Sequence, residues 1–227
     1  MVLVHGSMSS SAQWADYPGL LPDCEVVAVD LPGHGPRRAE PFTTDGALET
    51  IGAAASGAAT VVLVGHSLGG YLCGLYAARH RGLAGLVVLG GTGNPRGRFA
   101  APYRLFAWVT GRVSHQRLAR LRGAVARRGG GRDGLLDEEA SYAGLPGVWR
   151  AVAEDCPPRV LADVRCPVVF VNGQFDQMRL DERRYLRLVP GSTLETVRGA
   201  THVAPLTHAP EVAARIRRFV DDVAARG

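Results

Sequence analysis

Val61-Val62-Leu63-Val64-Gly65-His66-Ser67-Leu68-Gly69-Gly70-Tyr71 decides how the rest of the chain is read. Its first residues are apolar and rich in β-branched side chains, the pattern of a buried strand. Residues 71–79 read as a helix. Between the two lies G-x-S-x-G, carried by Gly65, Ser67 and Gly69, which sets a serine on a tight strand-to-helix turn. Such a turn lifts the hydroxyl clear of a sheet, and the flanking glycines leave room for neighbouring chain. The helix behind it aims N–H groups and the positive end of its dipole at negative charge developing there. A serine hydroxyl is a weak nucleophile until a base removes its proton. Ser67 is therefore the candidate nucleophile, and a base and an acid are sought elsewhere.

Similar apolar runs stand at residues 2–4, 26–30, 83–89, 168–172 and 193–197. They are nearly continuous in apolar residues, as parallel strands covered on both faces are. The stretches between them are long enough for crossover helices. The expected fold is α/β, a doubly wound, mostly parallel sheet. The clearest helices are 71–79 and 210–225. In the second, Val212, Ile216, Phe219, Val220 and Val223 share one face, and Pro210 stands where a first turn tolerates it. Residues 93–162 break the rhythm with Arg-rich helical pieces, Gly129-Gly130-Gly131 and Pro157-Pro158. They read as a helical lid inserted into a core made of residues 1–92 and 163–227.

Composition narrows the function. The 227 residues fit one domain with a modest insertion, and 46% apolar with 21% charged residues describe a globular chain. The net charge is +5, and all 26 basic residues are arginine. Without lysine there is no Schiff-base chemistry and no phosphate-loop lysine. Twelve arginines against six acidic residues fall between residues 95 and 160. No zinc-finger spacing or aromatic platform accompanies them, so no nucleic-acid partner is expected. No apolar run approaches the roughly 20 residues of a membrane span. The first residues lack the basic and apolar regions of a signal peptide, so a cytoplasmic protein is expected. Cys24, Cys73, Cys156 and Cys166 form no C-x-x-C pair, which predicts free thiols and no metal.

Around this motif the chain resembles the α/β-hydrolase family over nearly its whole length. Val2-Leu3-Val4-His5-Gly6-Ser7 is similar to the family's strand and oxyanion loop. Asp30-Leu31-Pro32-Gly33-His34-Gly35 resembles its D-x-x-G-x-G loop. Val171-Asn172-Gly173-Gln174-Phe175-Asp176 resembles the turn that carries the acid, and Gly199-Ala200-Thr201-His202 the loop that carries the base. The resemblance implies a cofactor-independent serine hydrolase with Ser67, Asp176 and His202 as catalytic residues. It implies oxyanion donors at the N–H groups of Leu68 and Ser7, with Met8 replacing Ser7 if the loop is shifted by one. The positions agree with the chemistry. His202 lies between the last strand and the last helix, and Asp176 follows the strand before it, so both fall at the carboxyl edge of the sheet. The family's usual hairpin does not precede the His-Gly strand in this sequence, either because the form is minimal or because the sequence is short at the front, which predicts an edge strand in need of protection.

Rivals remain. His208 could serve as base and Asp181 as acid. The position after the preceding strand, Gly90-Gly91-Thr92-Gly93-Asn94, offers no carboxylate. Asp30, His66 and His5 read as structural, and His34 either edges the pocket or is a solvated loop residue. Phe99, Tyr103, Phe106, Trp108, Tyr142 and Trp149 are candidates to line an acyl pocket. The expected substrate is a small-molecule ester or thioester, with linkage to a carrier protein or coenzyme A as an option. The same three residues also serve lyases, cyclases and synthases, such as the menaquinone-pathway synthase, and a non-catalytic receptor is the alternative from another class.

Overall fold

The computed structural model describes residues 1–97 and 140–226. Within them are six strands: β1 (Val2–Val4), β2 (Val27–Val29), β3 (Val62–His66), β4 (Gly85–Leu89), β5 (Val168–Gly173) and β6 (Thr193–Val197). They form one sheet in the order β2-β1-β3-β4-β5-β6, and every neighbouring pair is parallel. The chain steps outward from β1 to β2, then returns past β1 to β3 and on to β6. Its direction reverses between β1 and β3. In an open α/β sheet, the crevice at the carboxyl ends of such a pair is where ligands bind.

The strands alternate, yet both faces are apolar. Leu3, Val62, Val64, Val87, Leu89, Val169 and Val171 pack on one side, with Tyr17 of α1 (Tyr17–Leu20) and Val212 and Ile216 of α6 (Ala209–Ala224). Val2, Val4, Leu63, Leu86, Val88, Val168 and Phe170 pack on the other. There they meet Ile51 of α2 (Thr44–Ala55), Leu72 of α3 (Leu68–Arg79), Val148 and Val152 of α4 (Ala140–Asp155), and Tyr185 of α5 (Glu182–Leu188). Burying each such side chain contributes about 1.5–3 kcal/mol, and two covered faces explain the unbroken apolar runs. The run at 26–30 shortens to three residues in β2, because β2 is an edge strand with Val27 37% exposed. Shortness itself guards an edge against pairing with another chain.

Of the expected lid, residues 98–139 lie outside the described residues, and with them Phe99, Tyr103, Phe106 and Trp108; the Tyr142 side chain does too. The flanking pieces belong to the packed layer. Leu145, Val148 and Val152 are buried, Trp149 rests against the same cluster, and the Thr44 hydroxyl donates to Asp155. Arg96 donates to the carbonyls of Ala153 and Glu154 at the end of α4.

The β3–α3 turn is tight enough to explain its glycines. A Cβ on Gly65 would collide with the backbone of Gly69 and Gly70, and one on Gly69 with the carbonyls of Val4 and His5. The first backbone cannot yield without moving α3 off β3, nor the second without moving α3 off β1. Farther along α3, a Cβ on Gly74 would meet only the Leu161 side chain, at 2.7 Å, and a side chain can rotate away. Gly69→Ala is expected to lower the unfolding free energy by about 3 kcal/mol or more. Gly74→Ala should stay within about 1 kcal/mol, because helix propensity offsets the repacking. Urea titrations of both variants check this, and equal losses would contradict it.

Candidate active site

Ser67 stands between β3 and α3 with φ 51° and ψ −113°, the one non-glycine residue with positive φ among those described. An L-residue reaches that region only under constraint. Three backbone bonds supply it: Ser67 N–H donates to Leu89 O at 2.8 Å, Gly69 N–H to His5 O at 3.1 Å and Tyr71 N–H to Ser67 O at 3.2 Å. As the first residue of α3, Leu68 has an N–H without an intrahelical acceptor.

His202 and Asp176 come to this turn from separate loops. His202 Nε2 lies 3.0 Å from Ser67 Oγ, and His202 Nδ1 lies 3.0 Å from Asp176 Oδ1 and 3.2 Å from Oδ2. With Nδ1–H donating to the carboxylate, Nε2 is left bare toward the hydroxyl. The Asp176 side chain is 1% exposed and that of His202 20%, so the open end of the chain is the imidazole. Asp176 Oδ1 also accepts the Met178 N–H at 2.7 Å. The loop that carries Asp176 is tied to the loop that carries His202 by Phe175 N–H to Ala200 O and Gly199 N–H to Gln174 Oε1, both 2.9 Å. Gly90 leaves space for the pair: its φ is +60°, and a Cβ there would lie 3.0 Å from both Asp176 Oδ2 and His202 Nδ1.

The loop after β1 lies against the same turn. A Cβ on Gly6 would be 3.5 Å from Ser67 Cβ. Gly6 O accepts His5 Nδ1–H at 2.8 Å and Ser9 N–H at 3.2 Å. In a trans peptide the carbonyl and the next N–H point in opposite directions, so these bonds also fix where Ser7 N–H points. The Leu31 N–H donates to His5 Nε2 at 3.1 Å. His34 is 2% exposed, which corrects the solvated-loop option; its ring nitrogens lie 2.9 Å from Pro32 O and 3.0 Å from Ser7 O. It is held inward because it ties the loop after β2 to the loop after β1.

The rivals have other partners. Asp181 accepts the Asn94 N–H at 2.9 Å, and His208 Nδ1 pairs with Thr207 Oγ1 at 2.8 Å. Asp30 accepts the Ser11 N–H at 2.7 Å and the Ser11 hydroxyl at 2.9 Å. Two supports escaped the sequence reading. One is Gln13, beside Gly6 and His66. The other is Asn172, whose amide donates to Thr92 Oγ1 and Glu182 Oε1, both at 2.8 Å, four residues before Asp176. Nothing in their local sequence marks them. Among the described residues no group of three His, Cys, Asp or Glu side chains could hold a metal ion, and no helix is long and apolar enough to cross a membrane.

The sequence pattern of the Alpha/beta hydrolase family matches residues 1–215. The chain belongs to this family. This α/β hydrolase is 28% identical to the 2-succinyl-6-hydroxy-2,4-cyclohexadiene-1-carboxylate synthase of Serratia proteamaculans (strain 568), over 97% of this chain and 92% of that one. It is 34% identical to the same-named protein of Enterobacter sp. (strain 638), over 40% of this chain and 37% of that one. Its fold is shared with a Nitrososphaera gargenis structure described under carboxylesterases (TM-score 0.81, 18% identity, 100% and 91% of the two chains). The enol-lactonase of Burkholderia xenovorans LB400 is similar too (TM-score 0.78, 17% identity, 97% and 90%).

Two histidines of this α/β hydrolase set its behaviour in acid. Burial, then the neighbouring His34, pushes His5 from 6.5 down to about 4. Burial, then His202, pushes His66 down to about 3. Both rings stay neutral when folded, and both charge near pH 6.5 once unfolded. Their contribution is therefore complete above about pH 6.5 and is lost as pH falls, toward about 4 for His5 and about 3 for His66. While both are in play, stability should drop by about 3 kcal/mol per pH unit. Urea midpoints compared at about pH 7.5 and about pH 5 test the sign; an unchanged midpoint would refute it.

Proposed function

We propose that this α/β hydrolase is a serine hydrolase that cleaves an ester or thioester of a small molecule through an acyl-enzyme. The observation that carries the reading is the continuous hydrogen-bonded line from Ser67 Oγ through His202 to Asp176, with 3.0 Å at each link. Ser67 Oγ attacks the carbonyl carbon as His202 Nε2 takes its proton. Asp176 holds the tautomer and stabilises the imidazolium. The carbonyl π electrons move to oxygen, and that oxyanion accepts the N–H groups of Leu68 and Ser7. On collapse the C–O or C–S bond breaks, and the leaving group departs with the proton from His202. Water then gives a proton to His202 and attacks the acyl carbon, which releases the acid and restores Ser67. No step calls for a cofactor or a metal.

The acyl group is carried by a small alcohol or thiol, or by coenzyme A or an acidic carrier protein, which the arginine excess between residues 95 and 160 would attract. All four cysteines are free, which fits action in the reducing cytoplasm.

The full-length likeness to the Serratia synthase favours a second reading. There the same serine–histidine pair shuttles a proton of a carbon substrate that eliminates or rearranges, and no acyl-enzyme forms. Mass spectrometry during turnover of a panel of esters and thioesters separates the two, since only the hydrolase reading puts an acyl group on Ser67.

A fluorophosphonate should label the wild type at Ser67, leave Ser67→Ala unlabelled and react far more slowly with His202→Ala. Ester turnover should fall about ten-thousandfold in either variant. An unlabelled wild type, or equal labelling of Ser67→Ala, would sink the proposal.

A further inference from the structure

The loop that carries Asp176 is closed by a side chain that the proposed chemistry does not use. Residues 174–181 join β5 to α5. Their apolar members do little to hold them: Phe175 is 65% exposed and Leu180 55%, and only Met178 is buried. A guanidinium spans the loop instead. Arg179 donates from Nη1 to Gln174 O at 2.7 Å, from Nε to Glu182 Oε1 at 3.0 Å and from Nη2 to Glu182 Oε2 at 3.3 Å. Each bond sets an N–H against an oxygen that only accepts, so all three stand together. Asp176 lies inside the span, two residues after Gln174 and three before Arg179.

The fork has an anchor of its own. Asn172 is 1% exposed and gives one amide hydrogen to Glu182 Oε1 and the other to Thr92 Oγ1, both at 2.8 Å. A carboxylate cannot donate, so the amide must turn its NH2 toward Glu182, although Asn172 Oδ1 is then buried with no partner. An unpaired buried oxygen opposes folding. The ion pair offsets little of that, because the Arg179 side chain is 31% exposed and exposed pairs contribute weakly. Stability is therefore a poor account of the arrangement. What the guanidinium spans is a better one: a turn whose middle residue presents both carboxylate oxygens to His202 Nδ1, at 3.0 and 3.2 Å.

We propose that Arg179 is a positioning residue, which clamps Gln174 to Glu182 across the loop and so holds the Asp176 carboxylate against His202. It touches no reacting atom. The inference rests on the hydrolase reading and deepens it. Because Arg179 acts through Asp176, its loss should cost almost nothing once that carboxylate is gone.

The test is a double-mutant cycle between position 179 and Asp176→Asn. Arg179→Met removes the clamp. Arg179→Lys keeps the charge, but one ammonium cannot fork a carboxylate and reach Gln174 O together. Arg183→Gln, at an exposed position of α5, removes a nearby charge and no clamp. Active sites are counted by fluorophosphonate titration, so only folded enzyme is compared. The readouts are the labelling rate and the hydrolysis of p-nitrophenyl butyrate. Arg179→Met and Arg179→Lys should each lose roughly tenfold to a hundredfold in kcat and in labelling rate with KM little changed, the scale expected from a displaced group. Arg183→Gln should match the wild type. On the Asp176→Asn background, either change at 179 should alter the labelling rate by less than about twofold. Arg179 variants at wild-type rate per active site, an undiminished loss on the Asp176→Asn background, or Arg183→Gln as slow as Arg179→Lys would each overturn the clamp. A wild type that does not label would instead remove the hydrolase reading beneath it, and Asp176→Asn labelling as fast as the wild type would remove its acid.

Discussion

The backbone of Ser67 is the constraint on which the rest of the structure depends. A φ of 51° on a residue with a Cβ costs about 1–3 kcal/mol and persists only where the surroundings over-determine it. They do so here from three sides. Leu89 at the end of β4 accepts its N–H, His5 at the end of β1 accepts the Gly69 N–H, and α3 begins without a spare residue. Two neighbouring strand ends and a helix start are thus committed to one residue. The glycines at 65 and 69 follow from that commitment, since any larger residue would push α3 off the strands.

Around this fixed point the remaining groups arrive on loops, and each loop is secured by its own buried polar bonds. His5 and His34 hold successive peptides of the loop after β1. Met178 N–H and the Asn172–Thr92–Glu182 network hold the loop that carries Asp176. The imidazole of His202 is the most exposed member of its chain, as befits a group that would exchange protons with substrate and water. Rigid support beneath and access above is the arrangement that general acid–base chemistry asks for.

Much of this could be read from the residues. The alternation of apolar runs with longer helical stretches led to the parallel sheet because burial on both faces leaves an unbroken signature, seen in Leu63 packing to one side and Val62 and Val64 to the other. The boundaries were less legible: an edge strand has one neighbour, so 26–30 shortened to Val27–Val29. Ser67, His202 and Asp176 could be placed at one edge from motif and strand order, and the structure brings their side chains within hydrogen-bond reach. Gln13, Asn172 and Gly90 could not. Each acts through a contact with residues distant in sequence, and a glutamine in a short turn or a glycine after a strand looks the same whether or not such a contact exists. His34 stays open in the sequence for a related reason: a histidine in a Gly- and Pro-rich loop resembles a solvated one until the carbonyls that draw it inward are known.

The register of β4 and β5 has a consequence of its own. Leu89 is the direct partner of Val171, and Leu86 of Val168, so the long stretch between these strands leaves and re-enters the sheet one strand spacing apart, about 5 Å. Its ends are pinned by the ladder whatever it contains, and the entropy of closing a loop grows only slowly with length. That stretch is anchored at both of its ends, by Gly90 and Thr92 beside Asp176 and by Val148, Val152 and Leu161 in the core, so a descendant that leaves the surroundings of Ser67 untouched can vary it only between those anchors.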